Sequence, residues 1–370
     1  MAALSGRQAT QSETVRHGRI GARMPGAVRS RATGFCVLWL VVAGVWPAPA
    51  TTQEGELAAA ADASAIVARR MPSTEGALFL ILPVGAQGIA MGRAMTALPS
   101  QESAFWNPAG LAQVGDRRFF LYRGDQLAGT ATAFSFLMGR ESVGTLGISY
   151  QELNVGDQQM TGVGGEVLGS LSVRGYQGVV SFATELVDRV SVGTNFKMVQ
   201  FRIGCRGRCL DQGVTATTYA VDAGVQATFS DAVPLRVGLM IAHLGPDLQV
   251  VNAEQADPLP ARARLAAAYD VLDHFEEQQA FDLRFTVELE ERWRDPGSPS
   301  VHVGTEVATT GSEILSVRVG YAYGRDGEGG AALGLGLRVG RFDLGVARSL
   351  GRTSLTTGSE PVHVSLGVVF

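Results

Sequence analysis

The sequence carries little charge for its length. Of its 370 residues, 18% are Asp, Glu, Lys or Arg, and the formal net charge is −4. That charge balance excludes a basic surface for nucleic acid. Long apolar runs are also lacking, because residues 35–46 form the longest continuous one and a spanning helix needs about 20 residues. These absences leave open where the apolar residues, 46% of the chain, are placed.

Cysteine is scarce as well, with three in the chain. Cys36 lies in the apolar run, where no lipoprotein signal precedes it, and Cys205 and Cys209 stand close together in Gly-Cys-Arg-Gly-Arg-Cys. A zinc site would need two more ligands, which the neighbouring residues do not supply. In an exported protein, the pair predicts a disulfide that closes a short loop, with two free thiols as the alternative.

The N-terminal residues have the features of a secretory signal. Arg29 and Arg31 precede the apolar run, and the small residues of Ala48-Pro49-Ala50 follow it, as signal cleavage requires. We predict a signal peptide over residues 1–50, cleaved after Ala50, and Met24 would begin a signal of ordinary length. The alternative is a short buried helix of a cytosolic protein.

The rest of the chain shows strict alternation of apolar with polar or glycine residues. One such segment reads Phe281, Leu283, Phe285, Val287 and Leu289 against Asp282, Arg284, Thr286, Glu288 and Glu290. Successive side chains of a strand point to opposite faces, so each segment has one apolar face. We expect the abundant glycine, 47 residues, to lie on the other face, in turns and in the segment before the strands.

The alternation predicts fourteen strands, most of them as long as the roughly 9–11 residues that cross a bilayer with tilt. Their predicted bounds are 117–124, 128–138, 142–152, 173–185, 189–203, 215–229, 234–245, 261–270, 280–291, 300–309, 314–323, 331–339, 341–349 and 361–370.

The predicted connections sort into two kinds. Those after even-numbered strands are mostly short, and those after odd-numbered strands are mostly long, as over Leu153–Ser172, Gly204–Val214 and Pro246–Pro260. This asymmetry is typical of outer-membrane barrels. The sequence therefore predicts an all-β fold, a transmembrane antiparallel β-barrel of about 14 strands over residues 117–370. A soluble β-sandwich is the alternative, but its outer faces would carry more charge.

Charged residues at the inward positions are expected to form solvated pairs across neighbouring strands. They are Asp222, Asp282, Arg284, Glu288, Glu306, Arg318, Arg338 and Asp343. Phe370 occupies the last outward position of the last strand, and we predict that the barrel-assembly machinery uses this aromatic residue.

The segment between signal and barrel does not alternate. Residues 51–75 are predicted to form a short helix or a flexible mature N-terminus, and residues 76–116 a compact plug (hatch) inside the barrel. Three glycines within residues 85–92 would give a small face for close packing. Asn107 precedes Pro108 and can cap the following turn. No lysine completes a phosphate-binding loop.

Two motifs of this segment resemble the N-terminal signature of the PorV/PorQ family, outer-membrane barrels related to FadL-type transporters of hydrophobic compounds. The motif residues are Gly85, Gly88, Met91 and Gly92, then Trp106, Asn107, Pro108 and Gly110. Weaker matches, such as residues 192–197 and 364–370, extend the resemblance over residues 76–370. The sequence departs from the family pattern at Ser100-Gln101-Glu102 and at His243.

The resemblance implies a plugged fourteen-stranded barrel with one of two roles. One is the passage of small hydrophobic molecules, and the other is a type IX secretion role in which the barrel receives secreted cargo proteins. The expected partners are outer-membrane lipid, the assembly machinery, and hydrophobic small molecules or cargo proteins.

An outer-membrane enzyme is the third class of function. The mature chain's histidines, at positions 243, 274, 302 and 363, do not lie in a recognisable nucleophile motif. We therefore expect no enzyme activity, no cofactor and no metal.

Overall fold

A computed structural model describes residues 75–370 except 141–142, 209–212, 231–232, 251–253, 255, 273–279, 325–328, 351–353 and 356. The predicted signal peptide and the predicted N-terminal helix or flexible segment up to residue 74 lie outside the described residues.

Short helices precede the strands. They are a 3-10 helix over Leu78–Ile81, the helix α1 over Ala86–Ala90 and a 3-10 helix over Pro108–Gln113. None of the helices in the described ranges is long and apolar enough to cross a membrane.

Fourteen strands close into one antiparallel barrel. They are β1 (Arg117–Gln126), β2 (Gly129–Arg140), β3 (Gly144–Thr161), β4 (Val167–Val187), β5 (Val190–Gly207), β6 (Gly213–Ser230), β7 (Val233–Leu244), β10 (Arg262–Asp270), β11 (Phe281–Arg292), β12 (Ser300–Thr309), β13 (Glu313–Tyr323), β14 (Gly330–Val339), β15 (Phe342–Leu350) and β16 (Val362–Val369). The two-residue strands β8 (Leu248–Gln249) and β9 (Ala256–Asp257) pair separately between β7 and β10.

The predicted fold class is confirmed. Consecutive barrel strands are neighbours, and β1 pairs with β16 to close the ring. Each predicted strand corresponds to an observed one, and outside β3, β4 and β5 the bounds agree to about two residues. The closed ring satisfies the backbone hydrogen-bonding groups of its edge strands, as lipid requires.

The prediction of a long loop over Leu153–Ser172 is wrong. β3 continues to Thr161 and pairs with β4 beyond a register shift at Asn154. The predicted loop Gly204–Val214 is likewise shortened by extensions of β5 and β6. These extensions leave the apolar band, so both of their faces are partly exposed and alternation, the signal for a strand, is lost.

An apolar band covers the outward face of the barrel. Its exposed members include Leu121, Phe134, Phe136, Ile148, Val180, Phe196, Leu239, Leu265, Phe285, Val303, Val319, Leu335, Val346 and Val364. Soluble monomers rarely expose contiguous apolar patches larger than a few hundred Å², whereas membrane barrels present such a band to lipid.

The band ends at one level on β1, β2 and β3. The last apolar row is formed by Leu121, Phe134 and Tyr150, and the next outward row by Arg123, Thr132 and Glu152. Because each row follows the strand register, the change from apolar to polar occurs at a common height. Aromatic residues are enriched at such a boundary between membrane and water.

Candidate functional site in the barrel lumen

Residues 75–116, here called the lumen segment, run through the barrel from one end to the other. The Gly76 amide donates to the Pro258 carbonyl, 2.9 Å away, in the connection between β7 and β10. At the opposite end, the Thr145 hydroxyl of β3 donates to the Val114 carbonyl over 3.0 Å. The segment contains no strand, as the sequence predicted for residues 76–116.

Inward glycines of the wall make room for this segment. A Cβ at Gly304 would stand 2.5 Å from the Met91 carbonyl oxygen, and a Cβ at Gly334 would stand 2.6 Å from the Ala90 Cβ. A Cβ would also press on the segment at Gly139, Gly193, Gly224, Gly238 and Gly320. Many glycines therefore lie where the wall touches another stretch of backbone, which agrees with the expectation that they face inward.

The two sequence motifs meet inside the segment. The Trp106 indole lies against Gly88, where a Cβ would stand 2.5 Å from the ring, and its Nε1 donates to the Val84 carbonyl over 2.9 Å. The Arg264 guanidinium of β10 lies over the same ring, 5.7 Å from its centroid, a cation–π distance. Gly88 therefore has a packing role that a larger residue could not fill.

Other motif residues contact the wall directly. Gly92 adopts a φ of 62° and lies against the backbones of β12 and β13, and Met91 beside it is fully buried. A Cβ at Gly110 would stand 3.1 Å from the Gln226 amide nitrogen of β6. The spacing of small residues thus corresponds to contacts within the segment and contacts with several strands.

Asn107 joins the lumen segment to itself and to β6. Its Oδ1 accepts from the Ala109 amide at 3.1 Å, so the predicted cap before Pro108 is present. Its Nδ2 donates to the Thr96 carbonyl at 2.7 Å and to the Val225 carbonyl at 3.3 Å. The side chain is fully buried and satisfies buried backbone groups, which would be costly to leave unpaired.

Glu102 holds the start of α1 and was not among the predicted site residues. Its carboxylate oxygens accept from the Gln87 amide at 3.1 Å and from the Gly88 amide at 2.9 Å. Gly85 has a φ of 97° and leaves no room there for a side chain. Burial raises the pKa of the Glu102 carboxyl to about 7, against the lowering effect of those two hydrogen bonds. A lone acid between apolar stretches was the available sequence signal.

A buried polar network connects β5, β6 and β7 to the segment. Lys197 Nζ lies 2.6 Å from Asp222 Oδ2 and 3.2 Å from His243 Nδ1. Asn195 donates to Asp222 over 2.8 Å and to the Ala104 carbonyl over 3.0 Å. The network follows a register shift between β6 and β7, where His243 has a φ of 61° and its amide donates to Asp222. The sequence indicated that Asp222 faces inward but not which groups surround it.

The predicted pairing of inward charges is confirmed at several positions. Arg284 lies 3.1 Å from Glu306 on the neighbouring strand, and Glu306 also pairs with Arg318. Arg338 pairs with Asp343 over 3.0 Å. The prediction that these pairs are solvated is wrong for Glu306 and Arg318, which are only 8% and 9% exposed. Neighbouring protein groups cover most of their surface.

An apolar cluster fills the lumen near the long connections. From the lumen segment it receives Phe79, Leu80 and Val84, from the wall Phe120, Leu153 and Val199, and from the connection between β7 and β10 it receives Leu248 and Leu259. These side chains are at least nine-tenths buried. The predicted loop Pro246–Pro260 thus contributes to the core, which its sequence did not indicate.

The remaining predicted site residues lie outside the lumen. Cys205 is disulfide-bonded, whereas Cys209 lies outside the described residues, so the pairing of these two cysteines stays a prediction. Phe370 follows β16 with an exposed side chain, and its amide donates to the Arg117 carbonyl over 2.9 Å. Within the described ranges, no group of three or more His, Cys, Asp or Glu residues has an arrangement suited to a metal ion.

The barrel has counterparts among solved structures. The CymD monoaromatic hydrocarbon channel aligns with a TM-score of 0.52 at 12% identity, over 78% of this chain and 98% of the channel. The Ralstonia pickettii toluene transporter TbuX aligns with a TM-score of 0.52 at 13% identity, over 77% of this chain and 98% of the transporter. These likenesses show the fold.

A Pseudomonas aeruginosa FadL homologue aligns over 78% of this chain and 98% of its own, at 11% identity and a TM-score of 0.46. No protein-family model and no curated protein sequence matches the chain.

Proposed function

We propose that this chain is a non-enzymatic outer-membrane barrel of FadL-like type that passes small hydrophobic molecules, with the lumen segment as its plug. The observation that carries the proposal is that the inner wall of the barrel is apolar near the long connections. There Phe120, Leu153 and Val199 of the wall pack against Phe79 and Leu80 of the segment. The interior of a barrel that conducts water and ions is polar instead.

The apolar cluster suits displacement by a hydrophobic molecule. Apolar contacts are non-directional and scale with the area removed from water, so a small hydrocarbon can replace the contacts of Phe79 or Leu80. The hydrogen bonds of Asn107 and Asn195 would keep the rest of the segment in place meanwhile. The plug would then yield locally without leaving the barrel.

Two further observations support this role. The solved barrels of the same fold with TM-scores above 0.5 carry the names of a monoaromatic hydrocarbon channel and a toluene transporter. The apolar outward band and its aromatic boundary fit an outer-membrane position. The finer assignment to PorV/PorQ rests on the two sequence motifs, and the secretion role that it implies stays a prediction.

Toluene uptake by reconstituted protein tests the proposal. The vesicles carry lipopolysaccharide in the outer leaflet, which slows hydrophobic solutes, and lactose serves as the polar comparison. We expect the protein to raise toluene entry, and Leu80→Arg to abolish the gain because a charge would enter the apolar cluster. Val163→Arg, at an exposed position in the turn after β3, is the matched control and should leave uptake unchanged.

Heat-modifiable gel migration verifies that each variant remains a barrel. Equal entry with and without protein, or a rise for lactose as large as that for toluene, would contradict the proposal. Retention of a secreted protein's C-terminal domain together with unchanged toluene entry would favour the secretion role instead.

A further inference from the structure

We propose that four polar side chains of the inner wall, here called the polar patch, bind the hydroxyl group of a hydrophobic molecule. The patch consists of Ser135 in β2, Ser149 and Gln151 in β3, and Gln177 in β4. This inference rests on the proposed function and deepens it by naming a class of molecule that the lumen takes. That class is a neutral, largely apolar compound with one alcohol or phenol group.

The polar patch is continuous because its members are neighbours in the strand register. Ser135 pairs with Ser149 across β2 and β3, and Gln151 pairs with Gln177 across β3 and β4. Ser149 and Gln151 occupy successive inward positions of β3, since inward side chains recur at every second residue of a strand. The side chains of directly opposite residues are in contact distance. The four residues therefore form one polar surface on the inner wall.

The polar patch has buried hydrogen-bonding atoms that the chain itself leaves unpaired. All four residues are at most 3% exposed. The Gln177 side chain donates to Oε1 of Gln151. The described residues provide no hydrogen-bond partner for the Ser135 and Ser149 hydroxyl oxygens, for Gln151 Nε2 or for Gln177 Oε1. Buried polar groups are normally hydrogen-bonded, so four such atoms on one surface indicate a place for an external polar group.

Inward polar groups beside the patch are paired within the chain. The Tyr122 hydroxyl, on β1, lies 3.0 Å from His363 Nδ1 and 3.0 Å from Gln126 Nε2. The Ser181 hydroxyl, further along the inner face of β4, donates to Asn195 over 2.7 Å. These neighbours therefore have partners already and do not compete for the free atoms of the patch.

The two glutamines favour a hydroxyl group over other polar groups. Together they offer one free donor, Gln151 Nε2, and one free acceptor, Gln177 Oε1. Rotating both amides by half a turn would exchange these roles and still leave one donor and one acceptor. A hydroxyl both donates and accepts, whereas an ether or ketone only accepts and a hydrocarbon does neither. Only the hydroxyl uses both amides.

The charges near the polar patch favour a neutral ligand over a carboxylate. Lys197 lies in the register row of Ser149, two strands further on. Its ammonium group is already engaged, 2.6 Å from the Asp222 carboxylate and 3.2 Å from His243 Nδ1. A carboxylate at the patch would therefore be buried without a counter-charge of its own, which is costly.

The polar patch borders the residue that the proposed function expects to yield. A Cβ at Gly175, the inward position of β4 next to Gln177, would stand 2.5 Å from the Phe79 ring. Leu153 faces Gly175 and Val199 faces Gln177 in the register, and both belong to the apolar cluster. A molecule that displaces Phe79 can thus place its hydroxyl on the two amides and its apolar body against the cluster.

Calorimetric titration of the purified full chain in detergent tests this assignment. The probes are toluene, para-cresol and para-toluate, which share one ring and methyl group and differ in carrying no polar group, a hydroxyl or a carboxylate. Each affinity is divided by the partition of the probe into protein-free micelles. We expect para-cresol to bind about tenfold more tightly than toluene, and para-toluate to show no such gain.

Variants locate the preference. Gln151→Leu combined with Gln177→Leu removes both amides and should bring the ratio of para-cresol to toluene affinity to about one. Ser149→Ala disturbs the wall less and should lower the ratio about threefold, so it carries the test if the double variant lacks heat-modifiable migration. Gln200→Leu, on the outward face of β5 where Gln200 donates to Thr217 over 3.3 Å, is the matched control and should keep the ratio.

Three results would overturn the inference. Equal affinities for para-cresol and toluene would mean that the polar patch holds water only. A gain for para-toluate as large as that for para-cresol would show a site for anions. A ratio that stays unchanged in the folded patch variants, or falls as far in Gln200→Leu, would place the preference elsewhere.

Toluene entry separates this failure from that of the proposed function. A chain that admits toluene but does not prefer para-cresol refutes the polar patch alone. A chain that prefers para-cresol but admits neither compound refutes the passage of hydrophobic molecules and leaves the binding of a hydroxyl group supported.

Discussion

The two halves of the lumen segment are held by different forces. Residues 77–90, the apolar half, pack into the apolar cluster, and the described part of the wall donates one bond to them, from Gln126 to the Pro83 carbonyl over 3.0 Å. Just before them, Glu75 accepts from Arg262 over 2.7 Å and Gly76 donates to Pro258 over 2.9 Å. Residues 91–114, the polar half, make directed bonds to β3, β5, β6 and β11. Directed bonds specify one position, whereas apolar contacts tolerate exchange. Under the proposed function, the apolar half would yield to a hydrophobic ligand while the polar half anchors the segment.

The largest expected effect breaks the anchor by overpacking. Gly224→Val would place a branched side chain against the Asn107 side chain, and we expect the barrel to lose more than about 3 kcal/mol of unfolding free energy. Urea unfolding in detergent, followed by gel migration, measures this loss. Gly178→Val, where an added Cβ would meet no neighbouring atom within 4 Å, is the control, and equal losses in both variants would contradict the close contact.

Removal of the Asn107 side chain tests the same anchor through its hydrogen bonds. Asn107→Ala leaves the Thr96 and Val225 carbonyls without this donor, and we expect a loss of about 3 kcal/mol, since each buried unpaired group costs about 1–3 kcal/mol. Asn154→Ala, whose side chain makes one bond at the partly exposed bend of β3, should cost less than about 1 kcal/mol. Similar unfolding midpoints for the two variants would argue against the anchor.

Glu102 links the two halves, and its raised pKa predicts that the stability of the fold depends on pH. Its pKa of about 7 lies above the ordinary glutamate value of 4.5, so the folded chain binds the proton more tightly than the unfolded chain. Its contribution to stability is therefore present below pH 4.5 and is lost as the pH rises through 7, by about 2 kcal/mol between pH 5 and 8. Thermal melting at these two pH values should show the loss in the wild type.

Glu102→Gln supplies the comparison for that measurement. The variant cannot ionise, so the pH-dependent loss should shrink by about the same 2 kcal/mol. Glu166→Gln, in the turn between β3 and β4, leaves Glu102 intact and should retain the full dependence. A wild-type melting temperature that rises between pH 5 and pH 8 would contradict the sign.

The smallest effect on stability is expected in the apolar half. Phe79→Ala removes a ring from the apolar cluster, but the half can relax around it, so we expect a loss of less than about 1 kcal/mol, below the roughly 3–5 kcal/mol of a rigid core. Toluene entry should rise at the same time. A rigid-core loss with unchanged entry would show that the two halves do not differ.

The barrel could be predicted because its signal repeats along the chain. Apolar residues alternate with polar or glycine residues in segments such as Phe281–Leu289 and Leu333–Val339, because one face of each strand points outward. Each strand therefore shows the pattern independently of the others. The extensions of β3 and β4 beyond Leu153 could not be predicted, since a strand exposed on both faces carries no such pattern.

The candidate site was predicted only in part. The spacing of Gly85, Gly88 and Gly92 indicated close packing, and Asn107 before Pro108 indicated a cap. The partners of Asn107 and Glu102, among them Val225 in β6, depend on which strands the closed ring brings together. That information is spread over residues far apart in the chain and leaves no local pattern.

The seam between β1 and β16 has a consequence for the order of assembly. The lumen segment comes before β1 in the chain, yet it lies inside a ring that closes only when β16 pairs with β1. It lies against glycines of ten separate strands, from Gly139 in β2 to Gly367 in β16. A segment that arrived after closure would have to thread into the closed ring from one end. The segment is therefore enclosed in the folding step that completes the ring. The residues of the fold that are synthesised first reach their final positions only when the last strand pairs.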